Sequence, residues 1–257
     1  MNNKSLKHLV THVVRWALPA QCWLCRATHS GTQFICATCA QALPHNRNAC
    51  SRCALPLSTQ HTSTQKNWPP RSCTHCLKNP PPFDRTVAPF LMQEGFREVL
   101  HLWKFRNRPN LSPLLAHLFK EAAAKPGVMP IPSGKTPLLI PIPTQWHRQV
   151  WRGFDHTWLL AQALRHGIHP DAEVRPWLRN AKTRRSHHRL SRAARWANSD
   201  ERFISDPRIE GREIILVDDV MTTGATVSSA ALTCHRAGAQ SVSVWCLART
   251  PAPCGPG

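Results

Sequence analysis

Four apolar residues, Ile214 to Val217, run directly into two acids, Asp218 and Asp219, and then into Val220-Met221-Thr222-Thr223-Gly224-Ala225-Thr226. An unbroken apolar run of this length reads as a strand buried on both faces, as in the middle of a parallel sheet. The residues after the loop read as a helix with Val227, Ala231 and Cys234 on one face, ending at Gly238. Ligands of open α/β sheets sit beyond the carboxyl ends of the strands. A loop that opens a helix there presents unpaired N–H groups and the positive end of the helix dipole. Thr222, Thr223 and Thr226 add hydroxyl donors, and Gly224 allows close backbone approach. The stretch therefore reads as a phosphate cradle with two acids beside it. Asp is also common in turns and caps, which is the plainer reading of Asp218 and Asp219.

Two features bound the class of chain. Lys and Arg outnumber Asp and Glu by 33 to 14, a formal charge of +19 over 257 residues. That balance suits polyanionic partners, either nucleic acid or a heavily phosphorylated small molecule. No apolar run approaches the roughly 20 residues of a membrane span. Residues 1–21 are expected to form an amphipathic helix, with Leu6, Val10, Val13 and Ala17 on one face. His8, His12 and Arg15 interrupt the stripe, so it is no signal-peptide core. A cytoplasmic protein is expected, its eleven cysteines reduced or metal-bound.

Eight of those cysteines form four CxxC pairs: Cys22 and Cys25, Cys36 and Cys39, Cys50 and Cys53, Cys73 and Cys76. Each pair offers two thiolates, so the set suits two tetrahedral Cys₄ zinc sites. Sequential pairing is the simplest, with Cys22, Cys25, Cys36 and Cys39 on one ion and Cys50, Cys53, Cys73 and Cys76 on the other. Crossed pairing is also compatible with the spacing. So few apolar residues lie between the pairs that this region, 22–80, needs metal to fold.

Pro80, Pro81 and Pro82 mark a stiff junction, after which 81–250 reads as a second domain. Strands are expected over 84–92, 138–140, 174–178, 212–217 and 242–247, and helices over 96–105 and 113–124. The basic segment 146–152 leads through Gly153 into a helix ending at Gly167. Lys104, Arg106 and Arg108 follow the first helix, where they complement its dipole or face the anion site. Residues 179–189 carry no acid and no large apolar side chain and read as a mobile basic loop. A short helix follows over 190–198, and 251–257 reads as a disordered tail.

In order, the features are four CxxC pairs, a proline junction, Arg152-Gly153-Phe154, the segment Leu190-Ser191 with Arg195 and Asn198, and the acid-acid-Thr-Gly loop. This layout resembles the ComF family of competence-associated phosphoribosyltransferase-like proteins, in particular its GntX-like branch, over nearly the whole chain. The resemblance implies an α/β fold, with a double zinc ribbon ahead of a type I phosphoribosyltransferase-like parallel sheet bearing helices on both faces. It implies that Asp218 and Asp219 are the catalytic-site acids holding the ribose hydroxyls of phosphoribosyl pyrophosphate (PRPP). Val217, Val220, Thr222, Thr223, Gly224, Ala225 and Thr226 would complete the motif around the 5′-phosphate. Arg152 and Gly153 would lie near the pyrophosphate, and Lys182, Arg184, Arg185 and Arg195 would form a flexible hood. Lys104 is counted with the PRPP-binding residues as a cation facing the anion site. The family has Asn and Gln where this chain has Asp155 and His156, and Gln where it has His187. A carboxylate at 155 would repel pyrophosphate unless Mg²⁺ lay between them.

Two functions follow. One is a phosphoribosyltransferase using PRPP with Mg²⁺ in DNA uptake or processing. The other is a non-catalytic sensor of PRPP or nucleotide that also carries single-stranded DNA and meets competence or DNA-processing proteins. For the latter, Trp146, Trp151 and Trp196, interleaved with Arg, are stacking candidates, although core packing is the commoner use of Trp.

Overall fold

Segments spaced by cysteine pairs have too few apolar residues to bury a stripe of their own, and the N-terminal elements are brief. The computed structural model describes residues 20–29, 34–57, 72–106, 108–125, 136–144, 153–181 and 202–251. Residues 1–19 of the expected N-terminal helix, the segment 146–152, the basic loop from 182, the helix over 190–198 and the tail from 252 lie outside these. Ala20 and Gln21, expected as helix, and Arg179 and Asn180, expected as loop, are strand residues because each pair is hydrogen-bonded to a neighbouring strand. Strands β1 (Ala20–Gln21) and β2 (Thr28–His29) form a small hairpin around the first cysteine pair. Helices α1 (Ala37–Ala42) and α2 (Thr74–Lys78) each begin beside a cysteine pair.

The larger elements follow in the order β3 (Arg85–Val87), β4 (Phe90–Leu91), α3 (Phe96–Phe105), α4 (Ser112–Ala123), β5 (Leu138–Pro141) and α5 (His156–Ile168). Then come β6 (Glu173–Val174), β7 (Leu178–Asn180), β8 (Phe203–Ser205), β9 (Glu213–Met221), α6 (Ala225–Arg236) and β10 (Ser241–Arg249). The main sheet has the order β3-β10-β9-β5-β6, with β4 continuing beside β10, and every pairing in it is parallel. Strands β7 and β8 make a separate antiparallel pair.

Strand alternation divides the core. Ile215, Val217, Trp245 and Leu247 face one layer with Val99 and Trp103 of α3, Leu115 and Phe119 of α4, and Leu160 and Leu164 of α5. Ile214, Leu216, Val242 and Val244 face the other with Val227, Ala231 and Cys234 of α6 and with Leu178 and Phe203 of the β7–β8 pair. Helices thus cover both faces of a parallel sheet, the α/β class the sequence implies.

Several boundaries differ from the sequence reading, each for a local reason. The strand expected over 84–92 is two pieces, because Ala88-Pro89 interrupts the ladder and proline has no N–H to give it. The strand expected over 174–178 is also two, split at Arg175-Pro176-Trp177, with β6 joining β5 and β7 joining β8. Helix α5 passes through Gly167 to Ile168. Strand β9 does not stop at Val217: pairing with β10 carries it through both acids to Met221.

The cysteine-rich region is fastened to the sheet by backbone groups. Thr86 N–H donates to the Ser51 carbonyl (3.2 Å). Asn46, 2% exposed, donates from its side-chain amide to the carbonyls of Ala54 (2.9 Å) and Ala88 (3.1 Å), one on each side of the joint. Asn46→Ala leaves two buried carbonyls without those donors, and we expect it to lower stability by about 2–4 kcal/mol in denaturant titrations at fixed zinc.

Candidate functional site

The four cysteine pairs build the same device twice. In the first, Arg26 N–H donates to Cys22 O and Cys22 N–H to Ala27 O; in the second, Ala54 N–H donates to Cys50 O and Cys50 N–H to Leu55 O. The residue after each pair, Arg26 (φ 61°) or Ala54 (φ 54°), adopts the left-handed conformation that closes so tight a turn. The other half of each device is a short helix capped by a thiol: Cys36 Sγ accepts from Cys39 N–H, and Cys73 Sγ from Cys76 N–H. The turns bring Cys22, Cys25, Cys36 and Cys39 together, and separately Cys50, Cys53, Cys73 and Cys76, with all sulfurs of a set within 4.8 Å. Sequential pairing is therefore the arrangement found.

These sets fit zinc. Sulfurs at the corners of a tetrahedron with Zn–S bonds of about 2.3 Å lie about 3.8 Å apart. The Cys25–Cys36 and Cys53–Cys73 separations are 3.8 and 3.7 Å. Backbone N–H groups of Cys36 and Cys73 point at the sulfurs of Cys22 and Cys50 (3.4 and 3.3 Å), the support a thiolate needs. Without a cation, the Cys53 thiol donates to Cys50 and pulls its pKa down, while Cys53 itself is driven up.

The second site lies at the carboxyl end of β9. The acids are strand residues there, so they take opposite faces of the sheet. Asp219 turns to the face of α3 and α5, where Lys104 Nζ and His156 Nε2 both reach its Oδ2 at 2.6 Å. Burial opposes the charge of Asp219, but Lys104 and His156 outweigh it and hold the carboxyl well below the usual carboxylate range. His156 is buried and meets Trp103 edge-on, ring centres 5.5 Å apart; Trp103 donates to Ser112 Oγ (3.0 Å). Lys104 thus faces the acid pair rather than merely ending its helix.

Asp218, half-buried on the other face, accepts the Asp219 N–H at Oδ1 (2.8 Å). Burial first, and the Asp219 charge second, push its pKa up to about 7. Cys246 pairs in register with Asp218; burial and the two acids keep its thiol protonated. Asp155 explains its own presence as the N-cap of α5, its Oδ1 accepting Trp158 N–H (3.1 Å) with the Thr157 hydroxyl 2.9 Å away.

Beyond β9, Thr222 and Thr223 are exposed, and Gly224 takes φ +86°, open to glycine without strain. Thr223 Oγ1 accepts the Ala225 N–H (3.3 Å), and Ala225 begins the twelve-residue α6. Val217 is sealed inside the sheet, its carbonyl taken by the Ile142 N–H (2.8 Å), and Val220 is half-buried. Gly153 (φ 77°) is exposed in the turn before α5. Arg152, Lys182, Arg184, Arg185 and Arg195 lie outside the described residues.

Three residues join this site that the motif alone does not name. His156 holds Asp219. Arg202 Nη1 donates to the Thr226 hydroxyl (3.1 Å), bringing a cation to the start of α6. Arg249, at the end of β10, donates to the carbonyls of Met221 (3.0 Å) and Thr222. The sequence hint for Arg249 is a cation closing an otherwise apolar strand; Arg202 and His156 carry no such mark.

A double zinc ribbon family model matches residues 13–77. The DNA utilization protein YhgH of Salmonella typhi is 32% identical over 91% of this chain and 98% of its own length. Competence protein F of Haemophilus influenzae is 26% identical over 84% of this chain and 97% of its own. Among solved structures, glutamine PRPP amidotransferase from B. subtilis, complexed with ADP and GMP, aligns over 55% of this chain and 26% of its own, with 17% identity and a TM-score of 0.36. Among the described residues, no helix is long and apolar enough to cross a membrane.

Two outcomes follow. Elemental analysis of protein purified without chelator should find about two zinc ions per chain, and stripping them should unfold the cysteine-rich region. For Asp218, the folded-state pKa lies above the unfolded value, so unfolding releases a proton between them. Its contribution makes stability fall from about pH 4 to about pH 7 and then level off. Asp219 acts in the opposite sense, with stability lost only as pH drops below the usual carboxylate range. Denaturation from about pH 5 to about pH 8 should show Asp218→Asn gaining on wild type as pH rises.

Proposed function

Since this chain belongs to the ComF family, we propose that the end of β9 binds PRPP with Mg²⁺ in a protein serving DNA utilization. The observation that carries this reading is the juxtaposition of an exposed Thr-Thr-Gly loop opening α6 with an acid pair at the end of the same strand. The 5′-phosphate sits against the amides and hydroxyls of 222–226, helped by the α6 dipole and by Arg202. Asp218 is the acid placed to accept from ribose hydroxyls. Asp219 is held by Lys104 and His156, and the trio acts as a rigid base beneath the ligand. Mg²⁺ bound to the diphosphate would offset part of its charge. Among the described residues, Asp219 and Asp155 are already engaged within the chain.

The basic residues Lys182, Arg184, Arg185 and Arg195, with Arg152 and Gly153, serve the pyrophosphate end. In a transferase they would stabilise the leaving group by position and charge. In a sensor they would retain an intact ligand. The names of the relatives and the +19 charge support a setting in which DNA is handled, and single-stranded DNA is the nucleic acid we assign to the basic surface. We assign the protein to the cytoplasm, where PRPP and reduced thiols coexist.

Calorimetric titration of PRPP with Mg²⁺ tests the reading. Wild type should bind, and Asp218→Ala/Asp219→Ala should bind roughly a hundredfold more weakly, from loss of charge-assisted hydrogen bonds. No binding to wild type refutes it. Pyrophosphate release in the presence of free bases then separates the enzyme from the sensor.

A further inference from the structure

Arg249 is a buried cation, 6% exposed, and among the described residues no carboxylate forms an ion pair with it. Its partners are backbone carbonyls. Nε donates to Cys53 O (2.9 Å), and Nη1 lies on Met221 O (3.0 Å), Thr222 O and Thr250 O (2.9 Å). A guanidinium is the side chain suited to such a task, because its rigid planar fork serves separate acceptors at fixed angles. Burying it is costly unless every contact is made, and an apolar residue would fill the same space more cheaply.

The contacts at Met221 and Thr222 have a consequence for the loop. In a trans peptide the carbonyl of one residue and the N–H of the next point in opposite directions. Drawing the Met221 and Thr222 carbonyls onto Arg249 turns the N–H groups of Thr222 and Thr223 away from it, along the exposed stretch of the loop. The same guanidinium grips the carbonyl of Cys53, a member of the second cysteine set, within the turn that Cys50 and Ala54 close.

We propose that Arg249 is a positioning residue that couples metal occupancy of the Cys50, Cys53, Cys73 and Cys76 set to the shape of the 221–226 loop. With zinc in place, the Cys53 carbonyl is fixed, Arg249 is fixed upon it, and the loop amides are aimed outward. With that zinc lost, the turn relaxes and the loop loses its brace. Among the described residues, the first cysteine set, Cys22, Cys25, Cys36 and Cys39, has no such link. The ligand-binding consequence rests on the PRPP reading above; the mechanical coupling does not.

The test uses the full zinc-loaded chain. It reads hydrogen exchange across 221–226 and the rate at which a zinc-binding dye withdraws metal. Arg249→Lys keeps the charge but loses the fork. Loop exchange should rise roughly tenfold and zinc should leave the second set faster, with the first set unchanged. Emptying the second set through Cys76→Ser should loosen the loop in the same way, and emptying the first through Cys25→Ser should not. Reciprocity supplies a readout that a merely structural arginine would not give: PRPP with Mg²⁺ slows zinc loss from the second set of wild type, but not of Arg249→Lys. Loop exchange in wild type that ignores stripping and restoring of the second zinc overturns the proposal, whatever the variants do. Coupled exchange without any PRPP binding upholds the brace and removes the PRPP reading. PRPP binding and loop exchange both indifferent to the second zinc remove the brace and keep that reading.

Discussion

The pairing of β9 with β10 governs where every other part of this molecule can go. Both strands are nine residues long, both are buried along most of their length, and both have neighbours on their outer edges. A ladder that continues past the apolar run forces Asp218 and Asp219 to obey strand alternation. One acid is thereby sent to the α3 and α5 layer, the other toward α6 and Arg202. Two side chains adjacent in sequence acquire different surroundings and different proton affinities, as happens wherever environment separates paired carboxylates.

Two buried charges answer that geometry in different ways. Asp219 is matched by the Lys104 ammonium and by His156 Nε2, both on one oxygen. Arg249 is matched by dipoles, with carbonyl oxygens from three segments of chain. The first arrangement fixes side chains around the acid pair, and the second fixes main chain at the loop that follows it. Both depend on elements far apart in sequence, so the site exists only when sheet, helices and cysteine turns are assembled together.

Much of this is legible in the residues alone. The CxxC spacing gives eight ligands for two metal sites, because thiols and tight turns are local features, but which pairs share a site emerges only from the fold. The run Ile214–Val217 gives the central strand, and Gly224 and Gly238 bracket α6 from its two ends. What escapes is tertiary. Asp has poor strand propensity, so a reading of apolar runs ends β9 at Val217, whereas β10 carries it on to Met221. Similarly, β10 reads as ending at Leu247, which leaves Arg249 outside the strand it completes. Its partners are backbone oxygens, and every residue type has those, so no sequence pattern could disclose them. His156 is visible only as a departure from a family pattern; its partner is 63 positions away and shares no motif with it.

The order of the strands has a consequence for how the chain comes into being. Residues 241–249 are synthesised after every other strand, yet they occupy the interior of the sheet between β3 and β9. Asp84 accepts a hydrogen bond from Val242, 158 positions later. During translation, the thiol-rich turns have all their ligands early and close over short loops. The future sheet meanwhile waits with an open slot, its β3 and β9 edges unpaired against one another. Contacts of such long range form slowly. Until residues 241–249 emerge, the edges of β3 and β9 have no strand between them, and an unpaired edge of that kind is a template for other strands.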